Sequence, residues 1–239
     1  MKAGIIAAGK GERLAAGGFS VPKPLVPLLG EPMIGRLIRV AADTGVTSLC
    51  CIINEQSRPL EEYLLSRPWP LRLQVLKKTT DNSMESLFAL APFLQGEPFV
   101  LFTVDTVFRS LTLKRFLSAT AALPPAQAIL ALTRYSDDEK PLRVEIDRDH
   151  RVRRIGHATE KGRFTAVTAG FYWFDPSVFD LIDRARQGAL SALRQFLSLL
   201  LEAGCGLYGV SVAKTIDVDR PEDVSEAENF LERYRDVKP

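Results

Sequence analysis

Residues 1–32 read MKAGIIAAGKGERLAAGGFSVPKPLVPLLGEP, and this stretch decides the fold. The run KAGIIAAG is short and apolar, ends on glycine, and reads as a buried strand feeding a loop. Glycines stand at 4, 9, 11, 17 and 18, with Arg13 and Lys23 close by. A strand that ends in glycines and cations suits phosphate, because backbone N–H groups can approach an anion without Cβ atoms in the way. Two familiar phosphate loops are excluded. The dinucleotide fingerprint needs a third glycine where Leu14 stands, and the Walker A loop needs Ser or Thr where Gly11 follows Gly9-Lys10. What remains is G-x-G-x-R, a spacer, and PKPL.

Working outward, apolar runs alternate with amphipathic ones. PMIGRLIRVAADTG has helical spacing closed by Gly45, SLCCIIN is a second strand, RPLEEYLLSR a short helix, LRLQVLKK a third strand and SMESLFALAPFL a helix. PFVLFTVDTVF reads as a fourth strand with an aspartate toward its carboxyl end. The alternation predicts an α/β fold with a doubly wound, mostly parallel sheet that binds ligands at its strand carboxyl ends. After residue 125 the rhythm changes. AQAILALTRY, PLRVEIDRDHRVRRIGH (a strand–turn–strand around DRDH) and TAVTAGFYWF are strand-like, SALRQFLSLLLEAG is a helix and CGLYGVSVAKTIDVD is strand-like. PEDVSEAENFLERYRDV closes the chain as a helix, with Pro221 in its first turn and Asp219 as a possible N-cap. The expected organisation is one domain over 1–239, with a nucleotide-binding half at 1–125 and an acceptor-binding half at 126–239.

The bulk properties fit such a domain. Of 239 residues, 46% are hydrophobic, enough for a large core, and 31 basic against 29 acidic side chains leave a charge of only +2. That balance argues against nucleic acid as a partner. No apolar run is long enough to span a membrane. The three cysteines do not make a disulfide framework, and Cys50–Cys51 reads as part of a buried strand. A reduced cytoplasm is the expected location.

The compound motif carries a resemblance. AAGKGER and PKPLVPLLGEPMI, across residues 7–34, resemble the signature of the nucleotidyltransferases that make nucleoside-diphosphate sugars and related activated alcohols. The resemblance implies a single-domain, Rossmann-like three-layer α/β/α fold of the glycosyltransferase-A type, with a mixed sheet. It implies that the backbone around Ala7, Ala8, Gly9 and Gly11 cradles an NTP. Arg13 would hold the leaving β,γ-phosphates by its planar fork, and Lys23 would neutralise charge growing on the α-phosphate. Asp105, in LFTVDTVF, would hold Mg²⁺, though Val104 stands where the family usually has glycine. In TIDVDRPEDV, Asp217 matches the second metal position, with Asp219 mainly structural and Arg220 in place of the usual threonine.

The resemblance also implies acceptor contacts. Glu160 and Lys161 match an E-K pair, with Lys161 on the acceptor's phosphate, although Gly162 replaces the usual proline. Thr168-Ala169-Gly170 replaces Asn-x-Gly and places Gly170 at the acceptor. Asn82 and Ser83 lie where the family reads its base, and either could instead cap a helix. The implied reaction joins an NTP to a phosphorylated acceptor, a sugar 1-phosphate being the favoured one and phosphocholine an alternative. A glycosyltransferase and a non-catalytic nucleotide sensor are the rival readings.

Overall fold

A computed structural model describes residues 1–9, 11–135, 141–156 and 164–233. The first half is built as expected. Strand β1 (Lys2–Ala7) runs into a loop and a single helical turn or so, α1 (Glu12–Ala16). A 3-10 turn at Lys23–Leu25 and a small ribbon, β2 (Pro27–Leu28) with β3 (Glu31–Pro32), lead to α2 (Met33–Asp43). Then follow β4 (Ser48–Ile53), α3 (Arg58–Leu65), β5 (Arg72–Lys77), α4 (Ser83–Leu94) and β6 (Phe99–Thr103). Strands β5, β4, β1 and β6 lie side by side and parallel.

The fourth strand is shorter than its sequence suggests. PFVLFTVDTVF breaks after Thr103, turns through Val104 and Asp105, and resumes as β7 (Thr106–Val107) in a different sheet. The carboxylate ends the strand rather than sitting within it, because a charge in a ladder buried on both faces would lose its water. Helix α5 (Ser110–Thr120) follows. It was not legible in the sequence, since its buried set, Thr112, Leu113 and Phe116, is small and partly polar.

The second half extends the same sheet in mixed directions. Strand β8 (Ala128–Thr133) precedes the hairpin of β9 (Arg143–Ile146) and β10 (Val152–Gly156). Its turn is held as expected around DRDH, with Asp147 accepting the N–H groups of Asp149 and Arg151. Strand β11 (Ala166–Phe174) pairs antiparallel with β6, β8 and β9, and so joins the two halves in one sheet. A 3-10 segment and α6 (Ile182–Gln187) precede α7 (Leu193–Glu202). The strand-like run CGLYGVSVAKTIDVD is two elements. β12 (Leu207–Ser211) pairs with β8 in the main sheet, and β13 (Ile216–Asp217) pairs with β7. Helix α8 (Pro221–Arg233) closes the described chain.

Helices cover both faces of the sheet. Period-two alternation sends Cys50, Ile52, Phe99 and Leu101 to the face packed by α4 and α7, and Leu49, Cys51, Val100 and Phe102 to the face packed by α2, α3 and α5. Cys50 and Cys51 are core residues of opposite faces, and burial pushes the Cys50 thiol up to about 12. A third, smaller core gathers Leu14, Val26, Leu28, Val107, Ile216, Val218, Val224 and Phe230. It binds α1, the ribbon, β7, β13 and α8 together at the carboxyl end of β6. No helix among the described residues is long and apolar enough to cross a membrane.

Candidate active site

The glycine loop and the PKPL segment are one construction. Gly11 sits just before α1 with φ 64°, a left-handed conformation that favours glycine. A Cβ added there would lie 2.6 Å from the Lys23 Cβ. The absent side chain is what lets Lys23 pack against the loop. Pro22 and Pro24 flank Lys23, and a tight turn, with the Leu25 N–H on the Pro22 carbonyl at 2.7 Å, fixes its backbone. Ala7 and Ala8 are buried and Gly9 is exposed, so the strand hands over to an open loop at Gly9.

The chain brings Lys23, Asp105, Asp219 and Arg13 together. Lys23 is only 9% exposed in its side chain and donates to Asp105 Oδ2 at 2.8 Å and to Asp219 Oδ1. Asp219 also receives Arg13 at 3.3 Å. Burial works against the Lys23 charge, but Asp105 and Asp219 outweigh it and hold the ammonium above the usual lysine range. Burial likewise opposes the Asp105 charge, and Lys23 together with the Thr103 hydroxyl holds that carboxyl below the usual carboxylate range. The sign is plain. Asp105 contributes fully at neutral pH and fails only as pH falls through its lowered value, while Lys23 contributes until pH rises through its raised one.

Asp219 corrects the sequence reading. It was expected to cap the last helix, but its carboxylate is turned onto the two cations. Asp223, inside the first turn of the helix, reaches back and accepts the N–H groups of Asp219 and Arg220 at 2.9 and 2.7 Å, as the third helical residue does in a capping box. Sequence could not separate these roles, because DVDRPED offers four carboxylates, Asp217, Asp219, Glu222 and Asp223, around one turn. Asp217, exposed on β13, lies opposite Thr106 and lines the same cleft as Asp105. The Val218 N–H bonds the Asp105 carbonyl at 3.0 Å and locks the two segments in register.

Among the described residues no set of three His, Cys, Asp or Glu side chains forms a ready-made metal cage. The carboxylate pair nevertheless accepts a cation, since the Lys23 ammonium already lies against both members. Asp105, Asp217 and Asp219 offer only oxygen donors. That chemistry fits Mg²⁺, which binds a few carboxylates and completes its shell from phosphate and water.

A cleft of about 540 Å³ opens beside these groups. Its far wall is β11, where Thr168, Gly170 and Tyr172 face the space. Gly170 has φ 73°, and a Cβ there would fall 1.8 Å from Thr106 Oγ1. Thr103 and Thr106 share a hydroxyl hydrogen bond at 2.9 Å, and Thr103 also donates to the Gly170 carbonyl at 3.1 Å. Gly170 therefore sits hard against the residue that follows Asp105. Burial pushes the Tyr172 phenol up to about 12, against the Thr168 hydroxyl that bonds it.

At the other candidate subsite, Asn82 caps α4, its Oδ1 accepting from Met84 and Glu85 at 3.0 Å. Ser83 Oγ accepts the N–H of Leu193, the first residue of α7, at 3.1 Å. Both side chains thus have structural work, and Ser83 also lines the cleft. Glu160, Lys161 and Gly162 lie outside the described residues, as do Lys10 and His157.

Known proteins resemble this chain over nearly its whole length. The family model described as nucleotidyl transferase matches residues 2–233. The bifunctional protein GlmU of Methanocaldococcus jannaschii is 24% identical over 238 residues, covering 97% of this chain and 54% of that protein. Mannose-1-phosphate guanylyltransferase of Mycobacterium tuberculosis is 27% identical, covering 92% and 61%. The chain spans about half the length of the curated relatives it matches. Among solved structures, the inositol-1-phosphate CTP transferase of T. maritima superposes with a TM-score of 0.82 at 20% identity, covering 100% of this chain and 97% of that one. A putative glucose-1-phosphate thymidylyltransferase from Bacillus anthracis gives 0.84 at 17%, with the same coverage. These likenesses show the three-layer α/β/α fold.

Proposed function

The chain belongs to the nucleotidyl transferase family, and from that premise we propose that it transfers a nucleoside monophosphate from an NTP to a phosphorylated small molecule, releasing pyrophosphate. A sugar 1-phosphate is the favoured acceptor, and the cytoplasm is the proposed location. The observation that carries the reading is the convergence of Lys23, Arg13, Asp105 and Asp219, drawn from three distant parts of the chain, at the mouth of the glycine loop.

The chemistry asks little of the protein beyond placement and charge. An acceptor phosphate oxygen is already anionic at neutral pH, so it can attack the α-phosphorus without a protein base. A new P–O bond forms, the bond to the β-phosphate oxygen breaks, and pyrophosphate leaves with the electron pair. The loop from Ala7 to Gly11 cradles the triphosphate, Arg13 takes the leaving phosphates, and Lys23 neutralises the α-phosphate. Asp105 with Asp219 or Asp217 would hold Mg²⁺, which when bound supplies a Lewis acid for the phosphate oxygens. Lys23 must then loosen its hold on the carboxylates, and the negative phosphates give it a stronger partner. Lys161 and Glu160 are proposed for the acceptor, with Gly170 beside it, and Asn82 and Ser83 for the base.

Pyrophosphate release across ATP, CTP, GTP, UTP and dTTP, crossed with sugar 1-phosphates, inositol 1-phosphate and phosphocholine, tests the proposal. Release from at least one pair is expected. Binding of an NTP without release from any pair would leave a sensor, and transfer from a ready-made nucleoside-diphosphate sugar would make the chain a glycosyltransferase. The two carboxylates of β13 and its turn can be told apart in the same assay. Asp219→Asn is expected to cost roughly 10²-fold or more in turnover, because it strips a partner from Lys23, Arg13 and the metal pair together. Asp217→Asn should raise the Mg²⁺ concentration needed for half-maximal rate and leave the saturated rate closer to wild type. The reverse ranking would favour Asp217 as the second metal position, and the first would favour Asp219.

A further inference from the structure

The Lys23 ammonium occupies the carboxylates that a divalent ion would need. Its side chain is 9% exposed, donates to Asp105 Oδ2 at 2.8 Å and lies against Asp219 Oδ1 as well. Asp105 is common to both candidate pairs, with Asp219 and with Asp217, so an ion taken by either pair meets Lys23 first. Arg13 is placed differently. It is exposed, and its ion pair is with Asp219, at 3.3 Å.

The backbone holds this contact from both sides. The Lys23 Cβ fills the space that a side chain at Gly11 would need, and the Val26 N–H closes a turn on the Lys23 carbonyl at 3.1 Å. Opposite, the Val218 N–H bonds the Asp105 carbonyl at 3.0 Å, and Asp223 accepts the Asp219 N–H at 2.9 Å. Lys23 and Arg13 balance Asp105 and Asp219 charge for charge. A carboxylate pair already neutralised at this distance exerts little pull on a dication. A triphosphate at the glycine loop changes that balance. It offers the ammonium a partner of higher charge, and it brings the phosphate oxygens that complete a Mg²⁺ shell.

We infer that Lys23 is a tethered cation that keeps divalent ions off Asp105 and its partner until a polyanion draws it away. Metal and polyanion then enter as one coupled event, each tightening the other by the same factor. That the polyanion is an NTP rests on the proposed nucleotidyl transfer. The exclusion itself rests on the ion pairs alone.

The test is a titration with Mn²⁺, an oxygen-seeking paramagnetic probe whose free-ion resonance disappears on binding. Wild type, Lys23→Met, Lys23→Gln and Arg13→Gln are compared without nucleotide. The two Lys23 variants should bind Mn²⁺ about 10- to 100-fold more tightly than wild type. Arg13→Gln removes the same charge but leaves Asp105 covered, and should gain less than about 3-fold. Adding Asp105→Asn to either Lys23 variant should abolish its gain. Mn²⁺ should also raise the unfolding temperature of the Lys23 variants more than that of wild type, a readout that reports on folding at the same time. Equal Mn²⁺ affinity in wild type and both Lys23 variants, an equal gain in Arg13→Gln, or a gain that survives Asp105→Asn would each overturn the inference. The wild-type titration is then repeated with the α,β-methylene analogues of ATP, CTP, GTP, UTP and dTTP, after allowance for Mn²⁺ held by free analogue. At least one should bring wild type to the affinity of the Lys23 variants or beyond. A gain in those variants that no analogue reproduces in wild type would keep the exclusion and sink the NTP reading instead.

Discussion

Replacing Asp105 by Asn is expected to lower turnover on the order of 10³-fold while the protein still folds. The side chain ends the central strand of the sheet and has two duties. It is the half-buried partner of the Lys23 ammonium, and it is the carboxylate around which the metal proposal is built. Asparagine keeps the shape and one acceptor oxygen but loses the charge. Lys23 then keeps Asp219 as its remaining carboxylate, so the loss of stability should stay near 1–2 kcal/mol. A large activity loss beside a small shift in the denaturation midpoint is the signature to look for. Turnover within 10-fold of wild type, at saturating Mg²⁺, would remove Asp105 from the chemistry. Full unfolding of the variant would instead make it a structural ion-pair partner, with Lys23→Met the control that removes the other half of the pair.

The second large effect is on stability. Gly170→Ala should cost about 3 kcal/mol or more, because two penalties add. The backbone at Gly170 is left-handed, and the new methyl would lie 1.8 Å from Thr106 Oγ1 and 2.7 Å from its Cβ. Neither neighbour can retreat cheaply, since Thr106 is buried and its hydroxyl is bonded to Thr103. For a chain of this size the loss corresponds to a fall of roughly 6–12 °C in unfolding temperature. The double change Gly170→Ala with Thr106→Ala should recover only part of it, because the Cβ contact remains. A denaturation midpoint within experimental error of wild type for the single variant would mean that β11 can shift away from β7. Any shift of Thr106 also displaces its neighbour Asp105, so activity should fall with stability.

Much of this was legible in the residues because it depends on local grammar. The strands at residues 2, 48 and 99 were readable from apolar runs, since a strand buried on both faces has no polar side to hide it, and the edge strand at 72 from the alternation in LRLQV. The compound motif was readable for a physical reason that only the structure shows. Gly11 must lack a side chain because Lys23 occupies the space, so AAGKGER and PKPL are two faces of one contact. What stayed hidden depends on distance. Nothing near Asp219 in the chain says that its partners are Arg13 and Lys23, some two hundred residues earlier. Likewise the run CGLYGVSVAKTIDVD carries no mark that its ends belong to different sheets.

The small third core has a consequence for how the molecule moves. Arg13 and Lys23 hang from its edge at one side, and Asp217 and Asp219 flank its Val218 at the other, while Asp105 belongs to the end of the main sheet. A unit held by so few apolar side chains can open without the rest of the protein unfolding, as a cooperative sub-domain event. In hydrogen-exchange terms, the amides of α1, β13 and α8 should share one opening free energy, lower than that of β1 and β4. An NTP that grips Arg13 and Lys23 binds only the closed form, so its affinity is tied to that opening. On the proposed function, the site is a clasp between this unit and the end of the main sheet, and a bound NTP would fasten it.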